Sequence, residues 1–328
     1  MSDFLSINMQ AIGVVNQQLF ARICHPINPP STNSNKDIID SYALSDGEIE
    51  RELQRITGDK LVFIGLGLGE LVDAVLSQNP YRSIVIIDQD LYFVRYFLSK
   101  YDVRKQLLSG KLQLVTGADI IDHQKYFDRK LFQLIDHPRF IHKLNYIHRL
   151  LDRPPSEFGY CIVFDGELFV KDVVDGLFDN GYGVVLLDAE RISVEELSYS
   201  IKHIKPKYIF CINYRHGLIS ISDEFDIPVV CWEIDPSTDF VIEDRGNSEN
   251  FFLFTYNREN LPYYVEATLK NVKYMPLATN PKRHSRRSSE QKSDTSEKYL
   301  ADISFVGASM VLQGEILLTR FIEQYQKH

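Results

Sequence analysis

Apolar residues along this chain fall into short unbroken runs separated by stripes at helical spacing. Leu61-Val62-Phe63-Ile64, Ile84-Val85-Ile86-Ile87 and Leu112-Gln113-Leu114-Val115 read as three strands. Between them, residues 70–76 place Leu71, Ala74 and Val75 on one face, and Leu91, Val94, Phe97 and Leu98 give a second helix its inward stripe. Strands that are apolar on both faces and alternate with helices predict a parallel sheet covered on both sides. The rhythm restarts after Pro154-Pro155, with strands expected at 160–164, 183–187, 208–212, 229–234, 251–255 and 272–275 and helices at 168–179, 194–204 and 259–269. The pattern therefore predicts an α/β chain built from two tandem Rossmann-like units with parallel sheets.

The flanking segments are less regular. Residues 4–23 carry apolar positions at helical spacing, and 26–35 read as a loop rich in proline, asparagine and serine. Ser45 with Glu48, and Ser193 with Glu196, have the spacing of capping boxes. Residues 119–153 are expected to be a mostly helical, aromatic bridge interrupted at His137-Pro138. Residues 280–299 form a polar tract expected to be a flexible linker, followed by a strand at 302–307 and a helix at 313–326. The expected divisions are 1–58, 59–153, 154–300 and 301–328, the last being the start of a lobe cut short.

Charge and cysteine usage narrow the function classes. The net charge of −9 argues against coating nucleic acid or an anionic membrane by charge alone. The first residues lack a basic stretch followed by an apolar one, and no apolar run approaches the ~20 residues needed to span a bilayer, so a cytoplasmic protein is expected. Cys24, Cys161, Cys211 and Cys231 have no C-x-x-C spacing, and the last three sit in apolar strands, as buried reduced thiols do. No metal site is expected, and a homo-oligomer is left open.

Gly65-Leu66-Gly67-Leu68-Gly69 joins the first strand to a helix N-terminus, where glycines let a ligand approach the backbone and helix amides favour negative groups. Asp88 lies 23 residues after Gly65, near the spacing at which an acid binds ribose hydroxyls. Gly65, Gly67, Gly69 and Asp88 are thus the cofactor-binding candidates. The G-x-G-x-G form is nearer to S-adenosylmethionine methyltransferases than to dinucleotide dehydrogenases. A tight strand-to-helix turn without any ligand is the alternative.

Two resemblances add to these readings. Leu61 to Gly69 followed by Ile84 to Asp88 looks like the central domain of motility accessory factor proteins, implicated in flagellin glycosylation, over about residues 40–150. Residues 173–213 have the cadence of a GT-B N-terminal lobe. More specifically, Ile227-Pro228-Val229-Val230-Cys231-Trp232-Glu233-Ile234-Asp235-Pro236, then Phe252 to Asn257, then Val272 to Pro281, then Asp302 to Gly307 resemble ordered segments of CgeB-like (spore maturation) glycosyltransferases. That resemblance implies a two-lobed fold, a nucleotide-sugar donor held mostly by the second lobe, and a glycan or protein acceptor held mostly by the first. The second lobe has no counterpart beyond one strand and one helix, so the chain is expected to be a glycosyltransferase or its acceptor-side portion.

Chemistry in such sheets sits at strand carboxyl ends. Asp235 and His216 are the catalytic candidates, either able to serve as a base. Asn213, Glu233, Asn257 and Asn280 are the substrate-binding candidates, and Trp232 is expected in the core. The alternatives are an S-adenosylmethionine-dependent methyltransferase working through the glycine turn and Asp88, and a non-catalytic scaffold.

Overall fold

The computed structural model describes residues 4–25, 41–123, 128–140, 145–152, 158–166, 168–189, 191–235, 249–267 and 269–278, all within one compact unit, Met1–Ala278. Asn280, the polar tract and the final strand and helix expected from the sequence lie outside the described residues.

Two sheets carry the unit, and every strand pair in both is parallel. The first contains β1 (Lys60–Ile64), β2 (Ser83–Asp88), β3 (Leu112–Thr116) and β4 (Gln133–Asp136) in the order β3-β2-β1-β4. The second contains β5 (Tyr160–Asp165), β6 (Gly183–Asp188), β7 (Ile209–Ile212), β8 (Val229–Glu233), β9 (Phe251–Thr255) and β10 (Asn271–Tyr274) in the order β10-β9-β8-β7-β5-β6. The tandem Rossmann-like architecture expected from the hydrophobic pattern is what the chain adopts. The strand order reverses between β1 and β4 in one sheet and between β5 and β7 in the other, and open α/β sheets bind ligands at such switch points.

The helices are α1 (Leu5–Val15), α2 (Gln17–Cys24), α3 (Asp46–Arg55), α4 (Glu70–Gln78), α5 (Leu91–Lys100), α6 (Arg104–Leu108), α7 (Asn145–Asp152), α8 (Val170–Asp179), α9 (Val194–Ile204), α10 (Leu218–Phe225) and α11 (Leu261–Glu266). Asn16, caught between α1 and α2, caps α2 by accepting from the Leu19 amide, which divides the expected helix over 4–23 in two. Buried Asn8 on α1 donates to the carbonyls of Leu98 and Tyr101, both at 2.7 Å, and so closes the end of α5. At Ser45 the capping box forms as its spacing predicts, with Glu48 reaching back to the Ser45 amide. At Ser193 only half of it forms. The serine accepts from the Glu196 amide, but the Glu196 carboxylate is drawn instead to Arg22.

The largest departure from the sequence reading is at 119–153. This segment is not mainly a helical bridge, for it holds a 3-10 helix (Gly117–Asp122), the strand β4 and then α7. β4 pairs with β1 and completes the first sheet. Its Gln-Leu-Ile-Asp sequence buries only Ile135, as an edge strand allows, so it lacks an apolar run. Two smaller corrections follow. The helix expected over 259–269 is a 3-10 turn (Arg258–Asn260) leading into the short α11, and α10 was not anticipated. Cys161, Cys211, Cys231 and Trp232 are buried, as expected.

Candidate functional site

Parallel strands deliver all their carboxyl ends to one edge, and four strands here end in aspartate: β2 at Asp88, β4 at Asp136, β5 at Asp165 and β6 at Asp188. Between the ends of β2, β5 and β6, drawn from both sheets, lies a cleft of about 90 Å³. Leu91, Phe93 and Phe140 wall it on the side of the first sheet, and Leu186, Leu187 and Ile192 on the side of the second. Its polar groups are Asp88, Gln89, Asp90, Tyr146, Asp165, Asp188, Arg191, Ser193 and Glu196. An apolar slot with a few converging polar groups is what a small-molecule site requires.

Two arginines hold the sheets together around it. Arg191 reaches Asp90 at 2.5 Å and Asp188 at 2.8 Å, joining the loop after β2 to the end of β6. Arg22 of α2 reaches Glu196 at 2.7 Å and Asp119 at 2.8 Å, donates to Thr116, and lies 4.2 Å over the Tyr199 ring. Gly117, at φ +52°, permits this, because a Cβ there would stand 2.6 Å from Glu196 Oε1. Burial pushes the Glu196 carboxyl up to about 7 despite its bonds to Arg22. Asp165 differs from its neighbours. Its side chain makes no hydrogen bond or ion pair among the described residues, and the residue is half-buried at the cleft wall. Tyr146 is 7% exposed, and its hydroxyl lies beside the Gln89 amide without the geometry of a completed hydrogen bond.

The glycine turn adjoins this cleft without lining it. Residues 65–69 are all buried. A Cβ on Gly67 would overlap the His137 ring, and one on Gly69 would overlap Phe97. Asp88 is committed to its own backbone, accepting from the Leu66 amide at 2.7 Å and the Asp90 amide at 2.8 Å. Burial, aided by the Asp90 charge, pushes its carboxyl up to about 7 against those amides and Arg191. The carboxylate thereby stiffens the turn, and it faces the cleft from behind the turn. In Asp88→Asn one amide NH2 must face a backbone N–H, so ligand-free urea unfolding is expected to show a loss of about 1–3 kcal/mol. Unchanged stability would mean the turn does not depend on those two bonds.

The other candidates share the carboxyl edge of the second sheet, away from the cleft lining. Asn213, at φ +58°, ties β7 to β8: its Oδ1 accepts from the Ile234 and Asp235 amides at 2.9 and 3.0 Å, and its Nδ2 donates to Asp235 at 3.1 Å. Asp235 is exposed at that clasp, and His216 is exposed in the turn before α10. Glu233 is fully buried and accepts from the Tyr264 hydroxyl. Asn257 caps the 3-10 turn by accepting from the Glu259 amide. Of the sequence-derived candidates among the described residues, Asp88 alone lines the cleft. Asp90, Tyr146, Asp165, Asp188 and Arg191 were missed, although aspartates closing three apolar strands were a signal for two of them.

The fold defines a doubly wound α/β protein with an open cleft at its strand ends. The chain matches no protein-family model and no curated protein. Among solved structures it is similar to the MAf glycosyltransferase from Magnetospirillum magneticum AMB-1, at 13% identity and a TM-score of 0.28 over 77% of this chain. The aligned part is 63% of that protein's length. A likeness this slight fixes neither fold nor function. Among the described residues no three or more His, Cys, Asp or Glu side chains are grouped to hold a metal ion, and no helix is long and apolar enough to cross a membrane.

Proposed function

We propose that the chain is a glycosyltransferase, or the acceptor-side portion of one, that uses a nucleotide-sugar donor and acts on a protein or glycan acceptor. The observation that supports this most is the cleft, where an open apolar slot meets carboxylates from both sheets. On this reading the base lies against Phe93 and Phe140 on one wall and Leu186 and Ile192 on the other, which line the cleft. Ribose or sugar hydroxyls fit the strand-end acids, which is where doubly wound folds take nucleosides. Asp165, whose side chain has no hydrogen bond or ion pair among the described residues, takes the proton of an attacking hydroxyl on this reading. The ordered resemblance of residues 227–307 to CgeB-like enzymes supports sugar transfer over methyl transfer.

The test is thermal shift with UDP-, GDP-, CMP- and TDP-sugars beside S-adenosylmethionine, followed by transfer assays. One nucleotide-sugar class is expected to stabilise the protein by about 2.7 kcal/mol at a hundredfold excess over Kd. Asp165→Asn is expected to keep that shift and to slow transfer by roughly 10²–10⁴-fold, the usual worth of a positioned base. A shift with S-adenosylmethionine alone would replace this reading with a methyltransferase, and silence across the panel would favour a scaffold.

A further inference from the structure

Residues 5–24 and 104–115 contain no aspartate or glutamate, although the chain as a whole carries a net charge of −9. The fold brings these two stretches together, with α1 packed against both α2 and α6. Between them and β3 runs a groove of about 470 Å³, floored by buried Ile12, Leu19 and Leu107 and bounded by residues 112–115. Val15 and Leu108 stand on its lips, 49% and 52% exposed. Exposed Val14 and Phe20 extend the apolar surface along α1 and α2. An apolar surface left open around a groove marks a place of interaction.

The shape of the groove says how it is filled. Side chains of a strand alternate between its faces, so a groove over one face meets every second residue. Here Leu112, Gln113, Leu114 and Val115 all line it, so it runs beside the strand, along its edge. β3 is the outer strand of the first sheet, and among the described residues its one strand neighbour is β2. An open edge offers backbone amides and carbonyls to another chain.

Charge says what fills it. Arg104 and Lys105 are exposed on α6 one turn before Leu108, and Lys111 is exposed between the lining residues Gly110 and Leu112. The flanking acids are already engaged: Asp102 lies 3.9 Å from Arg104, Asp119 serves Arg22, and Asp122 holds His203 at 2.8 Å. A second copy laid groove to groove sets these cations against themselves, and lysine at an edge is one way sheets resist self-pairing. A lipid surface offers no hydrogen bonds to the backbone of an open edge.

We propose that this groove receives an extended acidic segment of another protein, which adds beside β3 as a further strand of the first sheet. Backbone pairing supplies affinity, alternate apolar side chains enter the groove beside Ile12 and Leu107, and carboxylates meet Arg104, Lys105 and Lys111.

The experiment is fluorescence anisotropy of the full chain with labelled octapeptides that alternate glutamate with valine or with leucine. The controls carry lysine in place of glutamate, or methyl groups on alternate backbone nitrogens. A glutamate peptide is expected to bind at least about tenfold more tightly than either control. Leu108→Glu, and separately the double variant Lys105→Glu with Lys111→Glu, are expected to weaken it by at least about tenfold. All three positions are exposed, so urea unfolding is expected to show that both variants fold like the wild type. Equal binding of the lysine peptides overturns the assignment, as does glutamate-peptide binding that survives in both variants. Absence of peptide binding overturns it too. Sedimentation then names the occupant: self-association lost in Leu108→Glu replaces the partner with a second copy, and pelleting with phosphatidylserine vesicles replaces it with an anionic membrane.

Discussion

Replacing Arg22 with alanine is expected to destabilise the protein by about 3–5 kcal/mol, the largest single effect outside the hydrophobic core. The guanidinium is 5% exposed and serves Glu196, Asp119 and Thr116 together. Its removal leaves two carboxylates facing each other away from water, with side-chain exposures of 8% and 13%. The cost is that of stranded charge rather than the net worth of the pair, so the double variant Arg22→Met with Glu196→Leu is expected to recover much of it. Urea unfolding of the single and double variants measures both. If the double variant is no more stable than Arg22→Ala, stranded charge is not the cause.

The second large effect depends on pH and comes from Glu196. Its carboxyl titrates near 4.5 when unfolded and about 7 when folded, raised chiefly by burial and secondarily by Asp119. A raised acid binds its proton more tightly in the folded state. Between pH 4.5 and 7 folding therefore takes up a proton, and the stability it contributes is lost as pH rises through that window, levelling off above it. A difference of this size amounts to roughly 3 kcal/mol. Glu196→Gln removes the titration, so the wild type is expected to lose about that much more stability than the variant between pH 4.5 and 8. Parallel pH profiles for the two would show that Glu196 does not change its proton affinity on folding.

Much of the fold was legible because parallel strands must be apolar on both faces. β2 and β6 announced themselves that way, and α9 ran from Val194 to Ile204 as its stripe and serine cap required. β4 was illegible for the converse reason: an edge strand needs only one buried residue, and Gln133-Leu134-Ile135-Asp136 supplies no run. α10 hid behind Gly217 and a serine-rich stretch that competes with helix in isolation. The site was harder still. Asp88 could be picked out by its distance from the glycines, but its two backbone bonds could not. Asp165 and Asp188 acquire meaning only when β5 and β6 are laid beside each other opposite the end of β2. His137 was noticed for its proline, whereas its packing against Gly67 is something no spacing reveals.

The Arg22–Glu196 bond spans 174 residues. At ribosomal speeds of roughly 5–20 residues per second, Glu196 is made about 10–35 s after Arg22. In the later part of that interval, once Thr116 and Asp119 have been made, they can receive the guanidinium while its third partner does not yet exist. The emerging chain therefore carries an ion pair still short of its second carboxylate on the face that will become the seam. That face stays hydrated and uncommitted until α9 arrives, which protects it from premature burial against a neighbouring nascent chain.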